Sequence, residues 1–216
     1  FRLFEPNHNS GQIQGASLNR EQQPVVQINW QQAAQYCNWL SRQEQLPQFY
    51  IESEGLITGH NPKSMGYRLP TEAEWAWAAR VQEDKIMRFS WGNTFPPPSG
   101  KRNFADDASA YINGRVINGY TDSFVVSAPV GSFPANHRKL YDLDSNVAEW
   151  IHDVYQIAGL VGDPLIDPLG IQDGDNRVIR GASWAHSKLS DLRLSARDYG
   201  QMGRDDVGFR IARYAE

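Results

Sequence analysis

Cysteine is almost absent from this chain, and its scarcity excludes several kinds of site. The only cysteine among the 216 residues is Cys37. A disulfide within the chain, and a metal site built from several of its own thiolates, are therefore both excluded. Cys37 lies on an apolar helical stripe, where a buried structural thiol is expected rather than a reactive one.

Long apolar runs and an excess of basic charge are also missing. No stretch approaches the roughly 20 apolar residues that span a bilayer, so we expect no direct membrane insertion. The formal net charge is −4 with both signs interspersed, which argues against a nucleic-acid partner. The length favours one domain covering residues 1–216. Because the first residue is Phe1 and not Met, we expect this domain to belong to a longer protein with other domains.

Two segments have the residue spacing of amphipathic helices. The first, NWQQAAQYCNWLSRQ, repeats apolar side chains at Trp30, Ala33, Ala34, Cys37 and Leu40. Asn29 precedes this stripe as a candidate N-cap. In the second, YRLPTEAEWAWAARV, Thr71 and Glu74 form a T-x-x-E capping box, which predicts that a helix begins there.

Most of the remaining sequence indicates turns and short strands. Residues 43–69 are expected to be a long connection with one hairpin. Residues 91–141 show little periodicity, and so long an irregular stretch normally needs an anchor such as a ligand or an ion. Alternating apolar residues predict short antiparallel strands in VVSAPVGSF, RVIRGASW, LRLSARDY and VGFRIARY. The expected fold class is α+β with little regular secondary structure.

The segment LYDLDSNVAEW, residues 140–150, concentrates Asp142, Asp144 and Glu149 in eleven positions. Three interpretations are open: an ordinary turn, a catalytic carboxylate pair, or a site for a hard cation. Calcium takes six to eight oxygen ligands, from carboxylates, amides and backbone carbonyls. The segment LYDLDSNVAEW can supply oxygens of these kinds.

Six segments in order resemble the formylglycine-generating enzyme (sulfatase-modifying factor) family, over about residues 24–213. They are PVVQINWQQAAQYCNWLS, YRLPTEAEWAWAAR, WGN, LYDLDSNVAEW, RVIRGASW and DVGFRIAR. The resemblance implies a C-type-lectin-like fold and two calcium sites. One implied ligand set falls on Asn103, the Phe104 carbonyl, Asp122 and the Phe124 carbonyl. The other falls on Asp142, Ser145, Val147 and Glu149.

The resemblance also bears on copper. Family members that oxidise cysteine to formylglycine hold copper(I) with two cysteine thiolates, located after a strand like RVIRGASW. Here those positions carry His186 and Asp191. Copper(I) prefers soft ligands, so we expect no copper and no copper-dependent oxidase activity. His186 and Asp191 leave open a harder metal site or an acid–base site.

The resemblance therefore favours a noncatalytic, calcium-braced module that binds a protein, a peptide or a glycan. The expected cleft residues are Ser183, Trp184, His186, Asp191, Arg193, Arg197 and Tyr199. For Arg193 and Arg197 we also expect, as an alternative, ion pairs with Asp198, Asp205 or Asp206. The alternative function is an enzyme or maturation factor that modifies a protein or peptide by non-copper oxidoreductase chemistry. Weak calcium sites fill at millimolar calcium, so an extracytoplasmic location is expected.

Overall fold

Regular structure is short and spread along the chain. The computed structural model describes residues 1–92, 94–157, 166–171 and 174–215; Asn93 of the WGN segment lies outside these ranges. The helices are α1 (Trp30–Gln43), α2 (Glu72–Arg80), a 3-10 turn (Asp107–Ser109) and α3 (Ala110–Asn113). The strands are β1 (Gln12–Ile13), β2 (Ala16–Ser17), β3 (Tyr50–Ser53), β4 (Leu56–His60), β5 (Val81–Gln82), β6 (Lys85–Ile86), β7 (Ala148–Val154), β8 (Arg177–Arg180), β9 (Arg197–Gly200) and β10 (Val207–Phe209). Within these ranges, no helix combines the length and the apolar character needed to cross a membrane.

Both predicted helices are confirmed, and each begins at the predicted cap. Asn29 Oδ1 accepts the Gln32 N–H at 2.9 Å, and the Gln32 side chain accepts the Asn29 N–H at 3.0 Å. Thr71 and Glu74 form the same reciprocal pair at α2. These bonds satisfy backbone donors that the first helical turn leaves free. Cys37 is fully buried in α1, and burial raises the pKa of its thiol, so it is an inert packing residue as predicted.

A four-stranded sheet forms the centre of the molecule, in the order β10–β7–β8–β9. Every residue of β7 is buried, and alternate side chains enter different cores. Trp150 joins the core that α1 covers, whereas Ile151 joins the core that α2 covers. Trp30 and Trp150 donate their indole N–H groups to buried carbonyls at 2.8 and 2.9 Å, as buried indoles usually require. The sheet is therefore packed between the two long helices.

The strand predictions are confirmed in part. The hairpin in residues 43–69 is β3–β4, RVIRGASW contains β8 and VGFRIARY contains β10. β10 pairs with β7 in parallel, however, so the sheet is not wholly antiparallel. β7 itself was not predicted, because both of its faces are buried and its apolar residues do not alternate with polar ones in the expected way.

One predicted strand is shorter than expected, and another does not form. In LRLSARDY the strand begins only at Arg197, because the Leu194 N–H bonds to the Arg88 carbonyl and not to a neighbouring strand. VVSAPVGSF forms no strand. There the Asn146 side chain accepts from the Ala128 N–H at 2.8 Å and donates to the Ala128 carbonyl at 3.2 Å. A side chain thus makes the backbone bonds that a strand partner would have made.

Candidate functional site

The first oxygen site consists of the four residues Asn103, Phe104, Asp122 and Phe124, and the structure brings them together. Asp122 is 5% exposed, and its two carboxylate oxygens accept the N–H groups of Phe104 and Phe124, each at 2.9 Å. Asn103 is fully buried and donates its Nδ2 to the Val126 carbonyl at 3.0 Å. Its Oδ1 is buried without a hydrogen-bond partner, which is uncommon for a buried polar atom.

The first oxygen site has negative charge that the described residues leave uncompensated. Among them, no Lys, Arg or His side chain forms an ion pair with Asp122. A second buried carboxylate, that of Asp106, accepts the Asp122 N–H at 2.8 Å. Burial raises the pKa of Asp122 to about 7, and the Asp106 charge acts in the same direction. A buried carboxylate, a free amide oxygen and adjacent carbonyls are ligands that suit calcium. The residues present fit that ion.

The second oxygen site, Asp142, Ser145, Val147 and Glu149, is arranged differently. Asp142 Oδ1 and Ser145 Oγ are buried without hydrogen-bond partners, which resembles the first site. Glu149 is already neutralised, because Arg210 donates Nε and Nη2 to its two oxygens at 2.7 and 2.5 Å. The Trp75 indole adds a third bond at 2.9 Å. The main carboxylate of the second site thus has a cationic partner, which Asp122 at the first site lacks among the described residues.

Other groups in the same region are not cation ligands. Asp144 is buried and forms an ion pair with Arg102 at 2.8 Å, and it also accepts from the Ser90 hydroxyl. Within the described ranges, no group of three or more His, Cys, Asp or Glu side chains is arranged to hold a metal. A calcium site in this molecule would thus depend on amide and backbone oxygens as much as on carboxylates.

A cleft of about 280 Å³ lies beside β9 and contains part of the predicted ligand surface. Its lining residues are Ala148, Gly181, His186, Asp191, Ala196, Arg197 and Asp198. Three of the predicted cleft residues, His186, Asp191 and Arg197, thus meet in one place. The small residues form part of its wall and leave room for a ligand side chain.

His186 is held by the buried Ser183. The Ser183 N–H donates to His186 Nδ1 at 2.9 Å, and the Ser183 hydroxyl donates to Asp206 Oδ2 at 2.9 Å. Since Nδ1 accepts a backbone hydrogen bond, the proton of the neutral ring lies on Nε2. Nε2 is therefore the donor atom of this ring, and His186 is one of the residues that line the cleft. A metal-binding histidine instead donates its second ring N–H to a neighbouring acceptor, so this arrangement does not favour a metal ligand.

The arrangement also bears on nucleophilic catalysis. In a Ser-His-Asp triad the histidine lies between the serine and the acid, whereas here Ser183 lies between His186 and Asp206. Its hydroxyl is fully buried and its proton is directed to a carboxylate. Ser183 consequently orients the ring of His186 and does not contribute a nucleophile.

The remaining predicted cleft residues lie in three different environments. Trp184 is 2% exposed and packs in a core with Val147 and other apolar residues, so its ring does not line the cleft. Tyr199 is 50% exposed and its ring lies against that of Tyr155, with 4.3 Å between the ring centroids. Arg193 is exposed and makes no ion pair with any described residue.

The ion pairs expected for Arg193 and Arg197 do not form. Arg197 instead binds both oxygens of Glu72 at 2.6 and 2.8 Å, and it is Arg204 that binds Asp198 and Asp206. Sequence reasoning missed Glu72 in this role because it is 125 positions from Arg197. Its only sequence signal was a place in the first turn of α2, which is a common position for an acidic residue.

Comparison with known proteins supports these assignments of fold. A family model for the sulfatase-modifying factor enzyme 1-like domain matches residues 5–215. The chain is 32% identical over 201 residues to inactive C-alpha-formylglycine-generating enzyme 2 of Mus musculus, a match that covers 88% of this chain and 48% of that protein. It is 29% identical over 199 residues to formylglycine-generating enzyme of Mus musculus, covering 90% and 45%.

A solved structure, Treponema denticola variable protein 1, superposes with a TM-score of 0.73 at 25% identity, covering 95% of this chain and 75% of that one. The chain spans about half the length of the curated relatives that it matches. One of those relatives is named inactive and the other is named as an enzyme, at similar identity. Similarity to them therefore does not decide whether this chain is active, and the chemistry of its cleft residues becomes the deciding observation. The chain itself belongs to the sulfatase-modifying factor, or formylglycine-generating enzyme-like, family.

Proposed function

We propose that this chain is a noncatalytic binding domain of its family, braced by calcium, with a protein or peptide as the ligand of its cleft. The observation that carries the proposal is the chemistry of the cleft. The positions expected to hold copper thiolates carry His186 and Asp191, and the hydroxyl of Ser183 is directed to Asp206. Neither a soft metal site nor an activated nucleophile is present among these residues.

Calcium is proposed at the first oxygen site. Asn103 Oδ1 and the Asp122 carboxylate would hold the ion together with the carbonyls of Phe104 and Phe124. The ion would supply the positive charge that this buried cluster lacks. Residues 114–147 contain no helix or strand, so an ion at their start would stabilise a long irregular segment. Since such sites fill at millimolar calcium, we also propose an extracytoplasmic location.

The proposed ligand surface comprises the cleft and the adjacent ring of Tyr199. Tyr199 offers a half-exposed aromatic face, and Arg197 lies over the neighbouring Tyr155 ring at 4.9 Å. Aromatic residues and arginine are enriched where proteins bind other proteins. Aromatic faces also suit sugars, so a glycan is the second class of ligand to test.

Two measurements on one preparation test this proposal. Binding of arrayed peptides and glycans is measured alongside oxygen uptake and product formation with cysteine-containing and tyrosine-rich peptides. Saturable binding without product supports a binding domain. Turnover, or stoichiometric copper by elemental analysis, would overturn it. Removal of calcium by a chelator should also lower the melting temperature, because an ion at a hundredfold excess over its Kd contributes about 2.7 kcal/mol.

A second candidate function is protein or peptide modification by non-copper chemistry. The observation in its favour is that His186 is oriented by Ser183 and faces a cleft, as an acid–base histidine would be. The two candidates differ in their response to His186→Gln. Loss of product with retained binding would identify an enzyme, whereas weaker binding with no product in either protein would identify a binding domain.

A further inference from the structure

Arg210 brings a positive charge to the second oxygen site, where it binds Glu149, one of the four expected ligands. Its guanidinium bonds both oxygens of Glu149 on β7, and its Nη2 also donates to the Tyr141 carbonyl at 3.1 Å. One cationic group thus joins the turn before β7 to β7 itself.

The two oxygen sites therefore differ in one respect that decides ion binding. At the first site, the buried carboxylate of Asp122 has no cationic partner among the described residues, and a free amide oxygen lies beside it. At the second site, the corresponding carboxylate, Glu149, has three hydrogen-bond donors, two of them from a charged group. Bidentate arginine–carboxylate pairs are among the strongest polar contacts in proteins.

We infer that Arg210 takes the place of the cation at the second oxygen site, so that the chain binds one structural calcium ion and not two. This inference rests on the proposed calcium site at Asn103 and Asp122. A calcium ion at the second site would have to displace the guanidinium from Glu149 or remain beside its like charge. Both alternatives are unfavourable in a site where Glu149 is only 4% exposed.

Calcium titration by calorimetry on chelator-treated protein tests the inference. The wild type should bind one calcium ion. Asp122→Asn should lose that ion or bind it at least tenfold more weakly, while Asp142→Asn should keep it with unchanged affinity. Asp107→Asn, which removes an exposed charge near the first site, is the matched control and should also keep it. Melting with and without chelator gives an independent readout for each variant.

A change at Arg210 makes the test stronger. Arg210→Gln frees Glu149, so this variant should gain calcium-dependent stability and approach two bound ions, while Arg210→Lys keeps a positive charge and should stay at one. If Arg210→Gln does not fold, the comparison of Asp122→Asn with Asp142→Asn still shows which of the two sites binds the ion.

The possible outcomes separate the inference from the proposed function. Two ions bound by the wild type would overturn the inference and leave the proposed calcium site standing. One ion that persists in Asp122→Asn but is lost in Asp142→Asn would also overturn it. No calcium binding by the wild type would overturn both.

Discussion

Ser183 and His186 are joined by two contacts: the Ser183 N–H donates to His186 Nδ1 at 2.9 Å, and the Ser183 hydroxyl oxygen lies 2.9 Å from the same nitrogen. Because the hydroxyl proton is directed to Asp206, the second contact carries no hydrogen bond. A serine and a histidine so close together would ordinarily suggest nucleophilic catalysis. The direction of the bonds indicates instead that the serine positions the ring of a histidine that lines the cleft.

Removal of the Ser183 hydroxyl should therefore affect stability. In Ser183→Ala, Asp206 loses one buried donor, and we expect the free energy of unfolding to fall by about 1–3 kcal/mol. Urea denaturation measures this change. Ser195→Ala is the control, because Ser195 is exposed, and it should stay within about 0.5 kcal/mol of wild type. Equal stability of the two variants would contradict the buried bond.

Trp184 and Tyr199 should respond in opposite ways to truncation. Trp184→Ala removes a buried ring that packs with Val147 and should cost about 3–5 kcal/mol of stability. Tyr199→Ala removes a half-exposed ring and should cost less than about 1 kcal/mol, while weakening ligand binding at the cleft. Denaturation and binding are measured on both proteins. A Tyr199→Ala protein with unchanged affinity would remove Tyr199 from the ligand surface.

Asp153 should make stability fall as the pH rises from about 4 to about 6. This residue is 9% exposed and accepts the Glu72 N–H at 2.7 Å, and burial raises its pKa to about 6. The unfolded carboxyl titrates near pH 3.9, so between these values the native state binds the additional proton. The contribution is complete below about pH 4 and is lost as the pH passes 6.

The substitution Asp153→Asn tests that pH dependence. The free energy of unfolding of the wild type, relative to the variant, should drop by on the order of 2–3 kcal/mol between pH 4 and pH 7. Denaturation curves at several pH values measure the difference. Parallel pH profiles for the two proteins would show that Asp153 does not cause the pH dependence of stability.

Gly66 should not tolerate a methyl group, although Gly59 should. A Cβ at Gly66 would come within 2.0 Å of the Pro47 carbonyl oxygen, and this neighbour is backbone. We expect Gly66→Ala to lower the free energy of unfolding by more than about 2 kcal/mol, which corresponds to a fall of about 4–8 °C in melting temperature. A Cβ at Gly59 would lie 3.6 Å from Ile51, an ordinary contact. Equal melting temperatures for the two variants would contradict the close packing at Gly66.

Features that depend on neighbouring residues were predicted correctly, whereas features that depend on distant residues were not. The helix starts at Asn29 and Thr71 were predictable because each cap is complete within four residues. VVSAPVGSF was predicted as a strand because alternation describes one segment only, whereas a strand also requires a partner. Asn146, 18 positions from Ala128, took the backbone bonds of that segment.

The sequence by itself determined the family, the two capped helices, the single inert cysteine and the residues from which both oxygen sites are built. These features depend on residue identity and on short spacing. Only the tertiary structure decided which charges meet: Arg197 binds Glu72, and Arg210 binds Glu149 from 61 positions away. The same folding left Asp122 without a cationic side-chain partner among the residues that the structure describes. A charged side chain has many sequence-compatible partners, and the packing of the sheet against its helices and loops selects one of them.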